Sequence, residues 1–210
     1  MTLTVCAWCD SFACSTQDET RRPAGCPQER GEWLNRARET YEDEENRRIA
    51  RAAAHVETTG YCQWTRLEEI GRFAEKMDFK TLGLAFCSGL KREARVVADY
   101  FRNQGFEVIS AVCSCGGIHK GDVGIPPESR FRPEGFEAMC NPIGQAMMMN
   151  EMGTQFNVVL GLCVGHDSLF FRYAEAPTTV LAAKDRVLGH NPLAAVYLSQ
   201  SYYRKLHEGK

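Results

Sequence analysis

The 210-residue sequence has no surplus of either charge: 25 Lys and Arg stand against 27 Asp and Glu, a formal net charge of −2. A general DNA or RNA binder carries a basic excess, so nucleic acid is not an expected partner. No apolar run approaches the roughly 18 residues of a membrane span. The stretch Met1 to Asp10 has neither a basic nor an apolar segment, so no secretory signal is expected. There is no internal repeat of fixed period. With 44% hydrophobic and 25% charged residues, the composition excludes a disordered or collagen-like chain. At roughly 150 residues per domain, the length implies one full domain and a small appendage. A domain of that size buries a real core and needs no covalent cross-links.

Cysteine is present in excess, at ten residues. Without an export signal, that number points to metal binding in a cytoplasmic protein rather than to disulfides.

Three stretches are distinguished. Residues 1–27 hold Cys6, Cys9, Cys14 and Cys26 and few large apolar residues, so they read as a cysteine-rich knuckle that hydrophobic burial alone does not order. Residues 28–78 read as a helical segment: one helix from Gln28 to Val56, ended by Thr59-Gly60, and a second from Thr65 to Met77. Residues 79–210 alternate strand and helix. Strands are expected at residues 81–87, 106–113, 157–163 and 178–183. Helices are expected at 91–104, at 142–152 behind Asn141-Pro142, from about Ser168, and behind Asn191-Pro192. The fold class is α/β, a mostly parallel sheet of about four strands flanked by helices. Residues 116–135 form a long Gly- and Pro-containing loop expected to border the functional site.

The cysteines of this last stretch fall at telling places. Cys87, Cys113 and Cys163 end three predicted strands, and Cys140 precedes a helix N-cap. In open parallel sheets, ligands bind beyond the carboxyl ends of the strands. Four separated thiols are therefore expected to converge on one sheet edge, each near a helix N-terminus that favours thiolate. A single buried cysteine is an ordinary small hydrophobe, but nothing in core packing asks for cysteine at all these ends. Cys115 lies on the same side as Cys113 unless Gly116-Gly117 turns it away, and Cys113 is the preferred ligand. His166, three residues after Cys163, is a candidate catalytic residue: a fifth ligand, a proton donor, or a base for Cys163. His119, His190, Asp167 and Lys184-Asp185-Arg186 occupy similar loop positions, with Asp185 and Arg186 expected to pair locally. The methionines Met147, Met148, Met149 and Met152 read as core, and Cys62 as structural.

The N-terminal set has the spacing C-x2-C-x4-C-x11-C, closed by Cys26-Pro27. Close pairs with distant partners suit a tetrahedral thiolate site, and four thiolates serve zinc or an iron–sulfur cluster equally well. The alternative, a two-disulfide knuckle, requires a secreted protein.

Several stretches together carry a resemblance. They are Cys6-Ala-Trp-Cys9, Cys87-Ser-Gly-Leu-Lys-Arg-Glu-Ala, the Gly105-Phe-Glu-Val strand ending in Cys113, Met139-Cys-Asn-Pro-Ile, Gly161-Leu-Cys-Val-Gly-His-Asp-Ser-Leu-Phe, and Lys184-Asp-Arg-Val-Leu-Gly-His-Asn-Pro. Over most of its length the chain resembles the uncharacterised metal-binding proteins of archaea and anaerobic bacteria grouped as domain of unknown function 1847. The resemblance implies cysteine-bound metal and an anaerobic cytoplasm, and no particular reaction. It carries the ligand role onto Cys6, Cys9, Cys14, Cys26, Cys87, Cys113, Cys140 and Cys163.

The leading expectation is an iron–sulfur protein. Cys87, Cys113, Cys140 and Cys163 would bind a cluster of the 4Fe-4S type, and the N-terminal cysteines zinc or a second cluster. A redox partner or small-molecule substrate would reach the sheet-edge site. A zinc-binding structural or regulatory module without catalysis is the alternative. A thiol enzyme using Cys163 and His166 is a third reading.

Overall fold

The computed structural model describes residues 6–16 and 18–208. The chain divides into two compact units with the boundary between Ala54 and His55.

In the first unit lie α1 (Ala13–Thr16), α2 (Glu32–Thr40) and most of α3 (Glu44–Gly60), joined by single turns of 3-10 helix. The helix expected from Gln28 to Val56 is therefore broken. Asp43 breaks it: its carboxylate accepts the Asn46 N–H at 3.0 Å and opens a new helix, with Glu44 and Glu45 in its first turn. The Asn46 amide closes the junction on the Thr40 carbonyl at 3.0 Å.

The second unit is the α/β domain. It contains α4 (Arg66–Lys76), β1 (Thr81–Phe86), α5 (Lys91–Asn103), β2 (Glu107–Val112), α6 (Pro142–Glu151), β3 (Phe156–Leu160), α7 (His166–Tyr173), β4 (Thr178–Ala182) and a short α8 (Leu193–Tyr197). The four strands form one parallel sheet in the order β2-β1-β3-β4. This matches the expected class. The central strands β1 and β3 are near-continuous apolar runs because both of their faces are covered. Edge strand β2 instead buries only Val108 and Ala111 and exposes Glu107 and Ser110.

Each face has its own core. On one, Leu82, Leu84, Val108, Val158 and Leu160 meet Ile70 and Ala74 of α4 and Ala94, Val97 and Phe101 of α5. These helix positions recur every three or four residues, which gives each helix one apolar stripe. On the other face, Ala85, Ala111 and Val159 meet Ala146 and Met149 of α6 and Phe170 of α7. Helix α4 is thus part of the α/β core. A reciprocal capping box between Thr65 and Glu68 starts it, and Arg66 Nη2 donates to Thr179 Oγ1 of β4 at 2.7 Å. Among the described residues, no helix is long and apolar enough to cross a membrane.

Core packing is close enough to dictate glycine at position 83. A Cβ there would stand 2.1 Å from Asn157 Oδ1 and 2.7 Å from Met149 Sδ. Asn157 is fully buried and held by Thr154 Oγ1 at 2.8 Å, so it has nowhere to swing. Gly83→Ala is expected to lower unfolding free energy by about 1–3 kcal/mol, the usual cost of overpacking. Urea denaturation measures it, and an unchanged midpoint would contradict the packing described.

Candidate metal centre

The strand order reverses direction between β1 and β3, which opens a crevice at their carboxyl ends. The cysteines are delivered there by backbone pairing that continues past the strands. Cys87 N–H donates to Leu160 O at 3.2 Å, and Cys113 N–H to Phe86 O at 2.8 Å. Beyond β3 the chain must turn at Gly161, whose φ of +67° and closeness to Leu90 admit no side chain. Cys163 follows, and its carbonyl accepts the N–H groups of His166 and Asp167 at 3.0 and 3.1 Å as α7 begins.

Cys140 arrives differently. Asn141 caps α6 by accepting Gly144 N–H at 2.9 Å, donates its amide to Cys115 O at 3.2 Å, and bonds its own N–H to Cys113 O at 2.6 Å. One residue thus fastens the entry of α6 to the end of β2 and sets Cys140 beside Cys113.

The result is a single recess lined by Cys87, Cys113, Cys140, Cys163 and His166 together with Pro142, Gln145 and Leu162. The recess is small, roughly 200 Å³ even when counted out to open solvent. That is less than an organic substrate pocket, and the space is bounded by sulfur. Among the described residues, no group of three or more His, Cys, Asp or Glu side chains stands ready-made around a single metal position.

The donor chemistry fits a metal-bound group. The thiol of Cys140 donates to the Cys113 sulfur, and with the Ser88 N–H at 3.3 Å this brings the Cys113 thiol down to about 5. The same shared proton, helped by burial and by the other thiols, pushes Cys140 up. Arg186 Nη2 donates to Cys163 Sγ at 3.2 Å, and this contact favours the charged guanidinium. On His166, Nδ1 is buried with no partner among the described residues. Cys115 stands apart: its thiol reaches the Asn141 carbonyl at 3.8 Å, and burial raises it.

Two contributors escape the sequence. Gln145 is fully buried in α6, and its Nε2 donates to Ala111 O at 2.7 Å and Phe86 O at 3.3 Å, tying the ends of β2 and β1 together just behind Cys113 and Cys87. The one available signal is an amide set between the apolar residues Ile143 and Ala146 of α6. Arg186 is the other, and it contacts sulfur rather than a neighbouring carboxylate. Asp185 is used within its own turn, accepting the Val187 and Leu188 N–H groups.

The N-terminal cysteines lie on short local turns of the first unit. Cys6 and Cys9 share one 3-10 turn, Cys14 lies in α1, and Cys26 precedes the Pro27–Arg30 turn. Cys6 and Cys14 are exposed, and Cys9 bonds to Ser11 Oγ at 3.5 Å. Cys62 is exposed at a left-handed turn position.

The loop between Cys115 and Cys140 does not line the recess. It closes on itself: His119 pairs with Ala138, Lys120 Nζ meets Glu137 Oε1 at 2.6 Å, and Phe136 stacks on His119. At the chain's end, Pro192 rather than Asn191 stands at the N-cap of α8.

The profile of the family described as "Protein of unknown function (DUF1847)" matches residues 26–181. The chain belongs to this family. The matched stretch contains the four sheet-edge cysteines, Gln145 and His166, and stops short of Lys184 and Arg186. The chain is also 41% identical, over 205 residues, to "Uncharacterized protein MJ0455" of Methanocaldococcus jannaschii, covering 98% of this chain and 99% of that protein.

Two predictions follow from this geometry. Gln145→Met removes the two amide bonds to Ala111 O and Phe86 O in the core and is expected to cost about 1–3 kcal/mol. An unfolding midpoint equal to wild type would remove Gln145 as the tie between the strands. In the loop, the Lys120 ammonium and then the Arg132 N–H hold the Glu137 carboxyl below its usual range. Its contribution to loop stability is present above about pH 4.3, the unfolded value, and is lost as pH falls through the lower native value. The Arg132 amide proton shift is expected to titrate with a midpoint below about 4.3; one at or above it contradicts the pairing.

Proposed function

We propose that the chain is an iron–sulfur protein in which Cys87, Cys113, Cys140 and Cys163 bind one cluster of the 4Fe-4S type at the sheet edge. The observation that carries this reading is the convergence of four thiols, from four separate segments, on one recess that also holds His166. Structural zinc sites are usually built from close C-x2–4-C pairs. Here no two of the four ligands lie within twenty residues of each other in sequence, and a cluster, whose ligands attach to different irons, suits that arrangement better. When bound, such a cluster supplies one-electron transfer, or Lewis acidity if an iron keeps an open position.

The chain's own residues have definable parts. Gln145 and Asn141 fix the spacing of the ligand-bearing segments. Leu162 and Pro142 keep water from one side of the recess. His166, with its buried and unpartnered Nδ1, is the residue placed to hold a proton or a fifth ligand bond at the recess. Cys6, Cys9, Cys14 and Cys26 are assigned to a second metal, zinc or another cluster. The protein is placed in the cytoplasm of an anaerobe, where exposed thiols stay reduced, and works with a redox partner or on a small molecule.

Protein purified without oxygen is expected to be brown, with about four iron and four sulfide per chain from the sheet-edge site and more if the N-terminal site also holds a cluster. Cys163→Ser and Cys113→Ser should each lose the corresponding visible absorption while far-UV circular dichroism stays that of the folded chain. An unchanged spectrum in both variants, or a colourless wild-type protein carrying zinc after attempted cluster reconstitution, would overturn the proposal.

A further inference from the structure

The turn after β4 brings two cations beside a recess lined by four thiols, His166, Gln145 and apolar groups. Lys184 Nζ lies 3.9 Å from the points where a Cβ would stand on Gly89 and on Gly161. It therefore sits between the turns that follow β1 and β3, the strands on either side of the crevice. Arg186 Nη2 donates directly to Cys163 Sγ at 3.2 Å. Among the described residues, neither cation meets a carboxylate within ion-pair distance. The only carboxylate between them in sequence, Asp185, is occupied by the backbone of its own turn.

The turn itself is preorganised. His190 takes a left-handed backbone conformation, φ +66°, and its Nδ1 accepts the Asp185 N–H at 3.1 Å while its own N–H returns to Asp185 O at 2.9 Å. A non-glycine residue persists in that region only where its surroundings hold it there. The two hydrogen bonds hold the turn that places Arg186 on the Cys163 sulfur and Lys184 between the turns after β1 and β3.

We infer that Arg186, assisted by Lys184, is a positioning residue that sets the reduction potential of the sheet-edge cluster by compensating the negative charge of its cysteine ligands. The inference rests on the cluster reading above. Four thiolates around a 4Fe-4S core of charge +2 leave a net charge of −2. Uptake of one electron from a low-potential one-electron donor makes it −3, with no bond made or broken. A cation donating a hydrogen bond to a ligand sulfur stabilises the more negative state more, so it raises the potential. An arginine suits this place because its guanidinium stays charged and keeps a fixed donor geometry.

The test is a redox titration of the full chain, loaded with cluster and followed by visible absorption, against Arg186→Met, Arg186→Lys and Lys184→Met. Arg172→Met serves as control, since that guanidinium lies over Tyr173 on the exposed side of α7. Arg186→Met is expected to move the midpoint to more negative potential. Arg186→Lys should recover part of the shift, Lys184→Met should shift less in the same direction, and the control should match wild type. If Arg186→Met fails to load iron, Arg186→Lys decides: its midpoint must fall below wild type. A loaded wild-type protein whose midpoint is the same in the Arg186 variants overturns this inference and leaves the cluster reading standing. A wild-type chain that binds no cluster removes both.

Discussion

The parallel pairing of β1 with β3 is the constraint on which the site depends. Because the chain leaves β1 to build β2 on one side and returns to build β3 on the other, the two strands part at their carboxyl ends and leave a crevice there. Hydrogen bonding between strands runs one residue past the sheet on each side, from Cys87 to Leu160 and from Cys113 to Phe86. Those two cysteines are thereby held with the rigidity of the sheet. Cys140 gains the same rigidity second-hand through Asn141, and Cys163 through the Gly161 turn. A site borne on strand ends is placed more accurately than one borne on free loops.

Charge is the second constraint. Four thiols in one recess cannot all ionise cheaply, since each new thiolate raises the cost of the next. The contact between Cys113 and Cys140 works in opposite directions on the two: with the Ser88 N–H it lowers the Cys113 thiol, and it pushes Cys140 up, so that Cys140 holds its proton more tightly. A bound cation would displace that proton, so metal binding at this recess is coupled to proton release. Arg186 stands outside the pair and acts on Cys163, the sulfur nearest the mouth of the β4 turn. The recess thus has one side where charge is balanced by protons and another where it is balanced by a fixed cation.

How much of this was legible in the sequence depends on the range of the interaction concerned. Cysteines at the ends of Thr81–Phe86 and Phe156–Leu160 could be placed together because a period and a topology rule sufficed; no side-chain detail was needed. The Asp43 break was missed because charge-rich helical composition continues across it, and only the local N-cap competes. The loop at 116–135 was expected beside the site because long loops often serve function. The Lys120–Glu137 and His119–Phe136 contacts that close it on itself join residues more than fifteen apart and leave no periodic trace. Arg186 was expected to pair locally for a similar reason. Asp185 beside it looks like a partner until the turn takes up its carboxylate.

The first 27 residues pose a different physical problem from the α/β domain. Among their described members only Ala13 is fully buried, while Trp8 and Phe12 are largely exposed. Backbone ordering costs about 1–2 kcal/mol per residue, and burial of one alanine offsets almost none of it. Short turns such as Cys6–Trp8 and Ala13–Thr16 supply too few hydrogen bonds to make up the difference. A segment in that position is ordered by something other than its own core, and cysteines in the spacing C-x2-C-x4-C-x11-C offer a means. In small thiolate domains the free energy of metal binding is the free energy of folding. The α/β domain differs, since each face of its sheet buries an apolar core of its own. On the proposed reading metal would serve function at the sheet edge and folding at the N-terminus, so chelation should loosen the first segment while the sheet persists.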